Sequence, residues 1–511
     1  MAFRHILDDP HRAVGFGSRI GMPKAAVRVA DRWAQRLAGE PTAAREAWQQ
    51  GRLGDAIAIL ASSSGRSARR TRRRRERVRK ELLHPALPVP QRSTSLAMRR
   101  PAGTDPVPGR VLHLVTNALP TTSAGYTVRT HAILRAQRAI GLDAHVATRL
   151  GFPVSKGVLD ARRRACVDGV PYHRLLPTVM PRAGEAALSR QVVLAAALVE
   201  RIRPAVLHAA TDHQNGRVAV AVGRRYGLPV VYEVRGFLEE TWLTQGPGRS
   251  TDAEFYRARR DLETWCMRNA DRVLTLGATM KAEIAARGIP SDRIVVVPNA
   301  VDDEFLEPLP DGSARRAELG LTPEDYVVGT VASLTSYEGF GTLLAAGALM
   351  RRRGIPIRLL IIGDGPARPA LEQEAARLGL TDGTAIFTGR VPHDRVREHH
   401  GLLDVFAVPR TNERVCHLVT PLKPVEAMAS GLAVAASNVR AMGDLVEHDV
   451  TGVLISAEDV EAWSESLESL FHDPSRRHAL GVAARASIEK AGTWKHVAEI
   501  TRSVYRTLGA A

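Results

Sequence analysis

Cysteine is scarce: Cys166, Cys266 and Cys416 are the only three in 511 residues. They are far apart and odd in number, which argues against a disulfide framework, and Cys416-His417 has no second pair that would complete a zinc site. Long apolar runs are missing too. None approaches the roughly 20 residues that a membrane-spanning helix needs, and the longest candidate, Val192 to Val199, reads as part of an amphipathic or buried helix. Met1 to Asp9 lacks the charged-then-apolar layout of a signal peptide, and the three scattered cysteines fit a reducing cytoplasm. No Gly-x-Gly-x-x-Gly follows the first strand of either predicted sheet, which ranks a nicotinamide-dependent dehydrogenase last. Asp-x-Asp, a common cation-holding pair, does not occur.

What is present is ordinary in bulk and uneven in charge. The hydrophobic share of 44% and the charged share of 24% are those of a globular protein, with length for about three domains at ~150 residues each. The net charge is +17. Between Arg66 and Lys80, nine Arg and one Lys stand against one Glu, so this short run carries +9 of the total. Such a block repels itself and is expected to be solvated, either disordered or a frayed helix. It suits attraction to anionic lipid headgroups, binding to nucleic acid, or a spacer with no dedicated partner. Nucleic acid is disfavoured because the run has no aromatic residue for base stacking.

Alternation of apolar strands with helical segments sets the architecture. Residues 1–109 form an N-terminal extension. Within it, Ala43–Gly51 and Leu53–Leu60 look like a helical hairpin similar to one tetratricopeptide unit, which cannot bury its own apolar face and must dock on something. Proline-rich residues 81–109 read as a linker. Strand-like runs follow at Val111–Val115, Ala144–Ala147, Ala205–His208, Val230–Glu233 and Arg272–Leu276. The pattern restarts with Tyr326–Val331, Ile357–Ile362, Thr384–Thr388, Val405–Val408 and Leu432–Ala436. Interleaved amphipathic segments imply two α/β, doubly wound parallel sheets. Ligands of such sheets bind outside the carboxyl ends of the strands.

Val419-Thr-Pro-Leu-Lys-Pro-Val-Glu-Ala-Met-Ala-Ser-Gly431 is the most informative segment. It reads as a Pro-punctuated loop entering a short helix near Pro424. The unpaired amides of a helix start attract phosphate; Lys423 adds a full charge there, and Glu426 can accept from paired hydroxyls such as those of a ribose. Together with Val296-Val-Pro-Asn-Ala-Val-Asp302, Leu359-Leu-Ile-Ile-Gly-Asp-Gly-Pro366 and Phe387-Thr-Gly-Arg-Val391, in this order, the segment resembles the family 4 retaining glycosyltransferases of the GT-B fold. The resemblance covers about Arg110 to Leu508.

The resemblance implies an acceptor domain over 110–305 and a nucleotide-sugar domain over 306–490, both Rossmann-like and facing across a cleft. A C-terminal helix over 491–511 would return to the first domain. It also implies transfer without a metal or other cofactor, and no protein nucleophile. Three departures from the family pattern bear on the site. Where relatives carry an Arg and a Lys for the donor phosphates, this chain has Ser333 and Glu338, followed by Gly339. Of the family's two glutamates only Glu426 remains, Leu418 standing in the place of the first. Arg235 occupies a His-Gly position. The phosphate role is therefore expected to pass to Lys423, with Arg390 second; Glu338 then orients Lys423, meets a hydroxyl, or serves as an ordinary acid at a helix start.

The backbones of Thr420, Leu422 and Lys423 are expected on the diphosphate and sugar, and Arg390-Val391 near the base. Gly125 leaves room for a ligand beside the first strand. Arg235, His213 and Lys423 are the candidates beside the reacting atoms, His213 having a solvated loop as its alternative. Tyr126, Arg129 and Glu233 are the candidates on the acceptor side, Arg129 having a plain surface ion pair as its alternative. These departures together resemble a branch associated with cell-surface polysaccharide assembly. The expected activity is transfer of a sugar from a nucleotide-diphosphate sugar to a glycan or lipid-linked glycan, at the inner face of a membrane. A scaffold protein that kept the fold after losing donor contacts is the alternative.

Overall fold

The computed structural model describes residues 40–84, 105–182 and 184–511. The chain divides into two compact units. One comprises the chain up to Leu274 with Ile284–Val295 and Ala498–Ala511; the other comprises Thr275–Glu283 and Val296–Val497. The main division thus falls at Val295/Val296 and not after residue 305, the boundary that the family resemblance implies.

The first unit holds β1 (Arg110–Val115), β2 (Asp143–Thr148), β3 (Arg164–Val167), β4 (Val170–Arg174), β5 (Val206–Ala210), β6 (Val230–Val234), β7 (Arg272–Thr275) and β8 (Ile294–Val296). Their order is β3-β4-β2-β1-β5-β6-β7-β8. β1 pairs parallel with both β2 and β5, and only the β3–β4 hairpin is shown antiparallel among the paired strands. Strand order therefore reverses between β1 and β5, so the loops leaving their carboxyl ends diverge there. A groove opens at such a point.

The second unit holds β9 (Tyr326–Ser333), β10 (Ile357–Asp364), β11 (Ala385–Gly389), β12 (Val405–Val408), β13 (Ala433–Ser437) and β14 (Val453–Ile455). All pair parallel in the order β11-β10-β9-β12-β13-β14. Alternate residues point to opposite faces of a strand. Val328, Leu359, Ile361, Val405 and Ala435 lie in one core cluster, while Val327, Leu360, Ile362, Phe406 and Val434 lie in the other. Both faces are thus covered, which is why these strands read as continuous apolar runs. Order reverses here between β9 and β12.

The arginine run corrects the expectation of a disordered or frayed segment. It forms an 18-residue helix, Arg66–Leu83, with Ala68, Glu81 and Leu82 buried. Like charges repel, but specific partners offset this: Arg75 pairs with Glu40, Arg79 with Glu254 at 2.6 Å and Arg217 with Glu81 at 3.4 Å. The hairpin helices Thr42–Gln49 and Leu53–Ser62 dock beside it, Leu53 and Leu82 packing on Ala258 and Leu262 of the helix Glu254–Asn269. Gly51, at φ 78°, closes the hairpin; a Cβ there would sit 2.7 Å from the Trp242 ring. No helix among the described residues is long and apolar enough to cross a membrane.

Candidate functional site

In the second unit, the reversal between β9 and β12 brings two loops together. β9 ends at exposed Ser333, and the chain turns through Ser336–Glu338 to Gly339. Gly339 has φ 71°, and a Cβ there would lie 1.8 Å from the Pro409 carbonyl oxygen, so only glycine fits. That contact seats the β9 loop on the β12 loop. It places Glu338 beside Arg410, whose Nη2 donates to Glu338 Oε1 at 3.2 Å while Nη1 donates to the Val419 carbonyl at 2.8 Å. Both side chains are largely buried.

Lys423 completes the group at the start of the helix Lys423–Ala429. Burial works to raise the Glu338 carboxyl, but the Arg410 guanidinium and the Lys423 ammonium outweigh it and hold it below the usual carboxylate range. Burial lowers the Lys423 pKa, Glu338 opposes that, and Arg410 adds to it. For Arg410 burial is overcome by Glu338, and its pKa rises. Arg410 and Lys423 thus both act on Glu338 at the carboxyl ends of β9 and β12, with Glu426 as a further acidic neighbour of Lys423.

On the same short helix, Glu426 is buried and its Oε1 lies 3.1 Å from His393 Nε2. Accepting that bond raises the His393 pKa. Thr420 is buried, its carbonyl accepting from Asn299 Nδ2 at 3.1 Å and its hydroxyl having no hydrogen-bond partner among the described residues. Leu422 is half-buried. Arg390 is exposed just past the end of β11, two strands from β9, and Val391 packs partly against the core. The cation hydrogen-bonded to Glu338 is Arg410. Arg410 stands alone in a loop outside any motif, and its one signal in the sequence is its place two residues after a parallel strand.

In the first unit, Glu233, at the end of β6, is enclosed. Arg129 Nη2 donates to its Oε1 at 2.8 Å, Arg235 Nε to its Oε2 at 2.8 Å, and His208 Nε2 lies 3.3 Å from Oε2. Burial alone would raise the Glu233 pKa, but Arg235 and Arg129 hold it well below the usual range. His208 Nδ1 meets the Tyr505 hydroxyl at 2.6 Å, and Gln137 bridges Tyr505, Thr501 and His113. Burial pushes both His208 and His113 down, so neutral rings are favoured inside this network.

Arg235 is held by Thr130 Oγ1 at 2.5 Å and the Tyr126 carbonyl at 3.1 Å, both in the first turns of the helix Gly125–Ala139. A Cβ on Gly125 would meet nothing within 4 Å, and half-exposed Tyr126 accepts from Asn117 Nδ2 at 2.6 Å. Three expectations change. Arg129 and Glu233 are buried partners of one another and not acceptor-facing side chains, because β6 points Glu233 inward against Arg129. His213 is neither solvated nor open to a ligand; it starts the helix His213–Tyr226 fully buried, its amide donating to Glu263 Oε1 at 2.8 Å.

A model described as glycosyl transferase 4-like domain matches residues 124–300, and one described as glycosyl transferases group 1 matches residues 313–487. A D-inositol 3-phosphate glycosyltransferase from Rhodococcus opacus is 30% identical over 301 residues, covering 57% of this chain and 65% of that protein. The chain thus spans just under two thirds of that relative's length. Among solved structures, sucrose-phosphate synthase from Thermosynechococcus elongatus matches with a TM-score of 0.65 at 20% identity, over 78% of this chain and 99% of its own. Anabaena HepE in complex with UDP-glucose matches at 0.61 and 18%, over 78% and 99%. At such identities the structures speak for the fold alone.

Proposed function

Because the chain belongs to the family 4 glycosyltransferases of the GT-B fold, we propose that it transfers a sugar, with retention, from a nucleotide-diphosphate sugar to a hydroxyl acceptor. The observation that carries the reading is the group Glu338–Arg410–Lys423 at the reversal point of the second sheet. A departing diphosphate needs counter-charge that is in place before the bond breaks, since preorganised charge requires no reorganisation at the moment of reaction. Arg410 and Lys423 supply it, and Glu338 keeps both aimed. In this reading they take over the work of the missing Arg and Lys, so no divalent cation is required. Glu426 accepts hydrogen bonds from the ribose hydroxyls, with His393 holding its carboxylate.

The acceptor binds at the first unit, where Glu233 and Thr130 fix Arg235. The leaving phosphate takes the acceptor proton, and no protein nucleophile takes part. The acceptor is a glycan or lipid-linked glycan, reached at the inner face of a membrane to which the arginine-rich helix is attracted. Melting the protein with UDP, GDP and their sugars tests the donor site directly, because a ligand of the native form raises the transition temperature. Protection by a nucleoside diphosphate, lost in Glu426→Ala, is expected; no protection by any of them contradicts the reading. The substitution of both family phosphate contacts, at Ser333 and Glu338, favours a second reading: a scaffold that binds nucleotide without turnover. Slow hydrolysis of the sugar donor, abolished by Glu426→Ala, separates the two.

A further inference from the structure

The first unit carries apolar side chains that no part of the proposed chemistry uses. Leu159 is 92% exposed, Val179 59% and Val158 40%. Single exposed apolar residues are common on any surface; these three stand on two loops that touch. Residues 149–163 leave the carboxyl end of β2, and residues 175–182 leave that of β4, its parallel neighbour. Gly151 N donates to the Leu175 carbonyl at 2.9 Å, and a Cβ on Gly151 would lie 3.1 Å from Met180 Sδ. Arg174 clamps the other side, its Nη1 2.8 Å from the Asp160 carboxylate and its amide donating to the Arg163 carbonyl.

Positive charge borders the apolar tips. Lys156, Arg163 and Arg164 are exposed beside Val158 and Leu159. At its far end, the second loop meets the arginine-rich helix: a Cβ on Gly184 would lie 3.2 Å from the Arg77 carbonyl oxygen, and Lys80 Nζ lies 3.9 Å from Glu185. On that helix Arg66, Arg70, Arg73, Arg77 and Lys80 are all exposed. Their spacing of three or four residues lines them along one face over about 20 Å. Arg75 and Arg79 are turned toward Glu40 and Glu254.

We infer that these two loops and the exposed face of the helix Arg66–Leu83 form one docking surface for an anionic lipid bilayer. The arginines meet phosphate headgroups, and Leu159, Val158 and Val179 enter the boundary between headgroups and acyl chains. Charge attraction and apolar insertion are weak singly and stable together. The inference deepens the proposed function, since a lipid-linked acceptor would meet the carboxyl ends of β2 and β4 at the bilayer.

The test is co-sedimentation of the full chain with vesicles of phosphatidylcholine alone or mixed with phosphatidylglycerol. Binding to the mixed vesicles only, weakened by salt, is expected. Leu159→Asp is expected to weaken it about tenfold or more, as is the triple change Arg66→Ser, Arg70→Ser, Arg73→Ser. Leu159→Trp should show a blue-shifted emission on adding mixed vesicles. Binding that is insensitive to Leu159→Asp with no blue shift, or retention by nucleic acid but by no vesicle, overturns the inference. Protection of each variant by UDP is read alongside. Its loss in the parent chain would count against the donor site and leave the vesicle result standing.

Discussion

Replacing Arg410 by Met keeps the length of the side chain and removes its charge. Arg410 and Glu338 are 7% and 13% exposed as side chains, so the change leaves a buried carboxylate with only Lys423 nearby. Breaking a buried pair by removing one partner costs about 3–5 kcal/mol. Because Lys423 still compensates part of the charge, the lower end, about 3 kcal/mol, is expected. For a unit of roughly 200 residues, each kcal/mol shifts melting by about 2–4 °C, which predicts a fall of about 6–12 °C. Adding Glu338→Gln removes the stranded carboxylate, so the double variant should recover most of that loss. Recovery of stability must not bring recovery of function. The double variant lacks one of the two diphosphate cations, and losing a charged hydrogen-bond partner worth about 1.5–3 kcal/mol weakens UDP by about 10- to 100-fold. Calorimetric melting and UDP titration on the four proteins of the cycle read both quantities. A single variant that melts like the parent refutes the buried pair, and a double variant that binds UDP like the parent refutes the role given to Arg410.

Three further outcomes follow from the same geometry. Gly339→Ala should destabilise by about 2 kcal/mol or more and weaken UDP, since φ 71° and the Pro409 carbonyl at 1.8 Å force the β9 loop away from Arg410; unchanged melting would contradict it. Glu426→Ala should weaken UDP by about tenfold or more while a chain with Ser333→Ala binds it normally, which titration of both resolves. The His393 pKa is raised by its hydrogen bond to Glu426, so the pair stabilises fully below pH about 6.5 and loses that contribution as pH climbs through the raised value. Melting should accordingly fall on going from pH about 6.5 upward in the parent and fall less in His393→Asn.

Much of the fold is legible in the chain because a sheet buried on both faces needs unbroken apolar strands. Val111–Val115, Val230–Glu233, Ile357–Ile362 and Val405–Val408 are strands in the structure as in the sequence. β3, β4, β8 and β14 escape notice for local reasons: Arg164 opens β3 after two other arginines, Pro171 sits inside β4, and β8 and β14 are only three residues long. The arginine run misleads because its helix is held by partners more than a hundred residues away, Glu254 and Arg217, which no local pattern reports. Within the site, Lys423 and Glu426 are visible because the Pro-rich loop announces a helix start. Arg410 is visible only through the topology, once β12 is known to lie beside β9. Burial of Arg129, Glu233 and His213 is likewise a property of the packed network and not of any motif.

The central claim is that Arg410 and Lys423, gathered around Glu338, receive a nucleoside diphosphate without the help of a metal ion. A crystal structure of the chain soaked with UDP in the presence of a chelator tests it most directly. The account predicts the two phosphates against Arg410 and Lys423 with the ribose hydroxyls on Glu426. Phosphates seated away from both cations, or density that appears only when magnesium is supplied, would contradict it.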